Sequence, residues 1–345
     1  MKTHEIILNE TRNVKFSAWI QNVGGEFGKL EKRPAILILP GGGYSFCSDR
    51  EAEVVAAPYL KAGFQAFILR YSTGEHKDWP NPLNDYEQAM DLILNKADEW
   101  HVQTDKIAVL GFSAGGHLAA CAATKGKHRP NAAILGYAAL SQETADMCQP
   151  GMPSPINDVD KDTCSVFLFA TRNDNIVPVQ DTVDFEKALL ANGIMFESHI
   201  YSYGMHGFST GESYLNPNKN CSRVSHWVQD SIEWLADVFG TLQPEGLSAP
   251  AYTGRVSGDW DEMLSADCTM AHLRKQPVAV QQLLAEVIEV LDAIVAQKTG
   301  KGSNMTPFFK MIKLRDLMTM IGQPENAIEQ IDAALKQFSN VPDLQ

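Results

Sequence analysis

A serine set between small residues, at the point where an apolar run ends, has the clearest capacity for covalent chemistry in this sequence. Gly111-Phe112-Ser113-Ala114-Gly115 follows Ile107-Ala108-Val109-Leu110 and precedes the helix-forming run 117–124, HLAACAAT. A strand, a tight turn and a helix in that order force the serine into strained backbone angles and lift its hydroxyl above the strand end. The flanking glycines let strand and helix approach closely, and the new helix turns its positive end toward the serine.

A serine hydroxyl needs a base. Among nine histidines, His206 lies in Tyr203-Gly204-Met205-His206-Gly207-Phe208, a glycine-flanked loop just past the last predicted strand. The alternative for it is a surface-loop histidine without a role. His117 is expected to point away from Ser113 and make a helix-packing contact, while His76, His101 and His128 fall in connecting loops. A carboxylate must hold the base in one tautomer. Asp174, in the stretch 170–178 (ATRNDNIVP), directly follows the predicted strand 165–170 and takes that role; otherwise it is a turn residue.

The charge that develops during attack on a carbonyl needs N–H donors. Pro40-Gly41-Gly42-Gly43-Tyr44 follows predicted strand 34–39, so the amides of Gly42 and Gly43, together with that of Ala114, are the expected oxyanion donors. A phosphate-binding loop is a poorer reading, because neither G-K-[ST] nor G-x-G-x-x-G is present. Tyr44, Phe46, Trp79 and Tyr137 are candidate pocket residues, or plain wall. The set supplies proton transfer and charge stabilisation, so no metal and no organic cofactor is expected.

Elements that could position these groups alternate over residues 1–240. Strands are predicted at 4–8, 14–20, 34–39, 65–70, 106–111, 131–137, 165–170 and 196–202, and helices at 50–62, 82–99, 114–124, 179–191 and 223–239. The near-continuous apolar strands imply burial on both faces. The rhythm predicts an α/β fold with a doubly wound, mostly parallel eight-stranded sheet, whose ligands sit at the carboxyl ends of the strands. Residues 241–258 read as a Pro/Gly/Ser-bearing linker, and 259–345 as a small helical domain. In that domain apolar residues recur at helical spacing from Val280 to Val295, over 306–321 and over 325–338. Met305, Met311, Met318 and Met320 are read as core rather than as a partner-binding face.

A formal net charge of −13, from 42 acidic and 29 basic residues, argues against nucleic acid and anionic membrane surfaces as partners. A small-molecule acyl ester is the expected partner, and the sequence leaves oligomerisation open. Six scattered cysteines without a C-x-x-C pair predict reduced, mostly buried thiols. Neither a signal peptide nor an 18-residue apolar run is visible, so a cytoplasmic location is expected.

PGGGY at 40–44, NPLNDYEQAMDLI around Asp85, DKIAVLGFSAGGHLAA at 105–120, DNIVP at 174–178 and HGF at 206–208 resemble the α/β-hydrolase branch of acetyl xylan esterases and bacterial feruloyl and acetyl esterases, relatives of hormone-sensitive-lipase-like carboxylesterases. The chain order Ser, Asp, His is also that of the α/β-hydrolases. The resemblance spans roughly residues 34–240 and implies short acyl groups on sugars or xylan fragments as substrate. Two departures stand out. Pro40 replaces the histidine of lipase-like members, and segment 138–164 looks short, with Pro150, Pro153 and Pro155 instead of a clear helix. The rivals to an esterase are an arylformamidase-like amide hydrolase, a serine peptidase (disfavoured by the lack of a large gating domain), and a catalytically idle scaffold whose helical tail binds a partner.

Overall fold

The computed structural model describes residues 1–215, 220–252, 254–299 and 311–340. They form two compact units, Met1–Arg255 and Val256–Gln345. The first holds an eight-stranded sheet built from β1 (Lys2–Asn9), β2 (Val14–Ile20), β3 (Arg33–Leu39), β4 (Gln65–Arg70), β5 (Val102–Phe112), β6 (Ala132–Gly136), β7 (Ser165–Thr171) and β8 (Phe196–Tyr201). Their spatial order is β1-β2-β4-β3-β5-β6-β7-β8. β2 pairs antiparallel with both β1 and β4, and every later pairing is parallel.

Period-2 side-chain alternation divides the strands between two cores. Ala35, Leu37 and Leu39 of β3 pack with Tyr86, Ala89 and Ile93 of α2 (Asn81–Asn95), Leu118 and Ala122 of α3 (Ala114–Lys125) and Phe185 of α5 (Val179–Ala191). Ile36 and Ile38 face Val55 and Tyr59 of α1 (Glu53–Lys61) and Trp227, Trp234 and Phe239 of α6 (His226–Phe239). Apolar on both sides, β3 is buried along its whole length. Helices on both faces of a mostly parallel sheet give the α/β-hydrolase architecture expected from the sequence.

The chain runs outward from β3 to β4 and then returns to the other side of β3 as β5. Such a reversal, here at the carboxyl ends of β3 and β5, is where a doubly wound sheet binds its ligands. The glycine loop leaves one of these strands and Ser113 the other.

Two expectations need correction. Segment 138–164 does carry a helix, α4 (Gln142–Cys148), whose Ser141 hydroxyl accepts from the Thr144 amide at 3.3 Å. Seven residues ending before a proline-rich stretch leave too little periodicity to read. Asp181 anchors the helix, accepting from the Leu140 and Ser141 amides at 2.8 and 2.9 Å and from the Thr144 hydroxyl at 2.6 Å. The predicted linker 241–258 is partly built into the first unit. Leu242–Gln243 and Gly246–Leu247 form a small hairpin, and the Ala251 amide bonds the Asp237 carbonyl at 2.7 Å.

The second unit has its own core, formed by Leu264, Met270, Leu273, Val280, Leu284, Leu314, Leu317, Met318, Ile328 and Leu335. Its long helix α8 (Val278–Thr299) follows the one-turn α7 (Met270–Leu273), and two further helices span Leu314–Met320 and Glu325–Leu335. Met318 is buried, whereas Met311 and Met320 are exposed; Met305 and the start of the predicted 306–321 stretch lie outside the described residues.

Candidate active site

β5 ends in the sharp turn that the serine motif demands. Ser113 adopts φ +53° and ψ −118°, a strained conformation for a residue with a Cβ. A Cβ at Gly111 would lie 2.1 Å from the Gly115 carbonyl oxygen, and one at Gly115 would lie 2.1 Å from that of Leu39. Glycine is therefore required on both sides. The turn is braced from below, where the Ser113 amide donates to Gly136 at 2.9 Å and its carbonyl accepts from His117 and Ala139.

Three side chains distant in sequence converge above this turn. His206 Nε2 lies 2.9 Å from Ser113 Oγ, and its Nδ1 lies 2.8 Å from Asp174 Oδ2. A carboxylate only accepts, so it holds the proton on Nδ1 and leaves Nε2 as an acceptor facing the serine hydroxyl. The Asp174 side chain is 1% exposed and that of His206 15%. The other oxygen of Asp174 is satisfied by the Ile176 and Val177 amides at 2.8 and 3.0 Å, which fixes the carboxylate's aim. Three asparagines secure the histidine loop. Asn173 accepts from the Gly204 amide at 2.9 Å, Asn175 from His206 itself at 3.0 Å and Asn220 from Met205 at 2.9 Å. Sequence reading assigned these residues no task, although Asn173 and Asn175 flank Asp174 and favour side-chain-to-backbone bonding.

The glycine loop lies against the serine. A Cβ at Gly41 would come within 3.0 Å of Ser113 Cβ, and one at Gly42 within 2.1 Å of the Phe46 carbonyl oxygen. Gly42, Gly43 and Tyr44 all have positive φ. The Gly41 amide is engaged, donating to Glu51 at 2.9 Å. Among the described residues the amides of Gly42, Gly43 and Ala114 donate to no protein group.

The four pocket candidates divide. Tyr44 and Tyr137 are buried wall, because their hydroxyls are committed to His117 at 2.8 Å and Glu51 at 2.6 Å. Phe46 is exposed and Trp79 half-buried, edge-on to His117. His117 is a buried structural residue, as expected. Its Nε2 donates to the Pro153 carbonyl at 2.7 Å, so Nδ1 accepts from Tyr44. Burial lowers its pKa to about 4, which keeps the imidazole neutral. Sequence reading missed Glu51, which is 3% exposed. In sequence it looks like an ordinary acidic residue near the start of a helix.

The family described as BD-FAE matches residues 28–147. The structure of MGS-M1, an α/β-hydrolase enzyme from a Medee basin deep-sea metagenome library, is 40% identical, with a TM-score of 0.64 over 69% of this chain and 98% of that one. The chain belongs to the α/β-hydrolase family. The acetyl ester-xyloside bifunctional hydrolase from Caldicellulosiruptor lactoaceticus is 27% identical, with a TM-score of 0.58 over 66% of this α/β-hydrolase and 88% of that protein. An acetylxylan esterase from Xylanibacter ruminicola is 27% identical over 56% of this chain and 45% of its own length. Against three of the curated relatives it matches, this α/β-hydrolase spans between 33% and 57% of their length. Its six cysteines are free, and no described helix is long and apolar enough to cross a membrane.

Proposed function

We propose that this α/β-hydrolase is a serine esterase that removes short, acetyl-type acyl groups, with Ser113 as nucleophile, His206 as base and Asp174 as the orienting acid. One observation carries the reading: the unbroken chain from Ser113 Oγ through His206 to Asp174, at 2.9 and 2.8 Å, beside unpaired loop amides. His206 takes the Ser113 proton as the oxygen bonds to the ester carbonyl carbon. The carbonyl electrons move to its oxygen, which the Gly42, Gly43 and Ala114 amides receive. Collapse expels the alcohol, protonated by His206, and leaves an acyl-serine. Water, deprotonated by the same imidazole, attacks this intermediate, releasing the acid and restoring the serine. Sugars or xylan fragments as the alcohol half draw support from relatives named acetylxylan esterase and acetyl ester-xyloside bifunctional hydrolase. The exposed Phe46 and half-buried Trp79 offer faces on which a sugar ring could stack.

A fluorophosphonate should label the wild-type chain once, and Ser113→Ala should remove both the label and turnover of acetylated xylo-oligosaccharides. Labelling that persists in Ser113→Ala disproves the assignment. Faster hydrolysis of N-formylkynurenine than of any acetyl ester would favour an amide hydrolase.

A further inference from the structure

Below the glycine loop lies a carboxyl group that the steps above do not use. Glu51 ends the one-turn helix Asp49–Glu51 and is almost fully buried. Its two oxygens reach two different elements. Oε2 accepts from the Gly41 amide at 2.9 Å, and Oε1 accepts from the Tyr137 hydroxyl at 2.6 Å. The connection continues from Tyr137. Its hydroxyl oxygen accepts from the Ser209 amide at 3.1 Å, and its ring centre sits 4.9 Å from the His206 ring, nearly edge-on at 68°. Ser209 is itself held, since its hydroxyl donates to the Arg50 carbonyl and its own carbonyl accepts from the Trp227 indole at 2.9 Å.

One carboxyl group thus ties together the loop after β3 that carries the oxyanion donors, the residue after β6 that underlies the imidazole, and the loop after β8 that carries the base. Both of its bonded partners are neutral donors, an amide and a phenol. Burial pushes its pKa upward, opposed by these two bonds and by His206 and Arg50 nearby. An apolar side chain of similar size would avoid the desolvation cost, but would leave the Gly41 amide and the Tyr137 hydroxyl without acceptors. Gly41 also packs against both partners: a Cβ there would meet Glu51 Oε2 at 2.8 Å and Ser113 Cβ at 3.0 Å. With its N–H drawn to Glu51, the next two amides are left for the substrate.

We propose that Glu51 is a positioning residue, holding the oxyanion loop through Gly41 and the His206 imidazole through Tyr137 in one fixed geometry. The proposal rests on the serine-esterase reading above. Its consequence falls on the chemical step, because misplacing donors by about 1 Å costs roughly 10²-fold in rate without removing ground-state contacts.

The test uses the full chain and p-nitrophenyl acetate, with active sites counted by fluorophosphonate labelling carried to completion. In Glu51→Gln the new side-chain carbonyl can accept from only one of Gly41 and Tyr137, since its NH₂ group accepts from neither. The expected result is a fall in kcat per labelled site of about 10- to 100-fold, with KM within about twofold of wild type. Tyr137→Phe, which keeps the ring under His206, should cause a smaller fall in kcat. The double variant should lose less than the product of the two single effects, as expected of one network. If Glu51→Gln fails to fold, Tyr137→Phe alone decides by the same split between kcat and KM. Wild-type kcat per labelled site, a loss confined to KM or to the labelled fraction, or multiplicative losses would overturn the proposal and leave Glu51 a packing residue. A wild-type chain that neither labels nor turns over the ester would instead remove the esterase reading on which it rests.

Discussion

The rim around Ser113 and the helical unit 256–345 use backbone and buried charge in opposite ways. At the rim, four non-glycine residues (Tyr44, Ser113, Tyr137 and Ser209) hold positive φ angles. In the second unit, among the described residues, only Gly258 and Gly322 do so, and glycine adopts such angles at little steric cost. The buried carboxylates differ likewise. Asp332 of the helical unit is desolvated, but its 2.6 Å bond to Lys336, the Ala266 amide and nearby Arg315 hold its pKa below the usual range. Among the described residues the Glu51 carboxyl is bonded only to an amide and a phenol, and burial raises its pKa. Backbone strain and incompletely paired charge persist only where surrounding packing enforces them, and they gather where geometry serves chemistry. The helical unit shows the ordinary economy of a small core.

Substitutions along this contrast should grade in effect on turnover. Asp174→Asn keeps the size of the side chain but no longer favours the Nδ1–H tautomer of His206. Turnover per labelled serine should fall by roughly 10⁴, by analogy with a protease triad, while the melting temperature changes little. Near-wild-type turnover would mean that a different carboxylate orients the base. Gly42→Ala comes next, since its Cβ would lie 2.1 Å from the Phe46 carbonyl oxygen at a φ of +132°, so the loop must shift. Steady-state kinetics should show a loss of about 10²–10³, the usual effect of displacing one oxyanion donor. At the other extreme stands Ile328→Ala, which hollows the core of the second unit. It should destabilise that unit by about 2–5 kcal/mol in denaturant unfolding and leave turnover per labelled serine unchanged. A matching drop in turnover would show that the two units work as one and break the contrast.

Much of the geometry of the candidate site was legible because it rests on local rules. The glycines at 111 and 115 mark a turn in which a Cβ cannot fit, and Ser113 sits where strand gives way to helix. Asp174 and His206 could be placed at the same end of a parallel sheet because each lies in the loop after a strand. Helix α4 escaped notice for want of length, and the hairpin in 241–258 because two-residue strands carry no periodic signal. In sequence Tyr44 and Tyr137 are open between pocket residues and plain wall. Their burial depends on hydroxyl partners 73 and 86 residues away, which no local pattern encodes.

By itself the sequence determined the kind of fold, through apolar runs that need cover on both faces, and the chemical types at the rim, through glycine-enforced turns at strand ends. Only the tertiary structure decided that Glu51 bonds the Gly41 amide of the glycine loop, that three asparagines secure the histidine loop, and that the Tyr137 ring lies nearly edge-on against the His206 imidazole. The reason is physical. Strand and turn preferences act over a few neighbouring residues, whereas the partner that satisfies a buried polar group is chosen when distant segments pack and water is excluded.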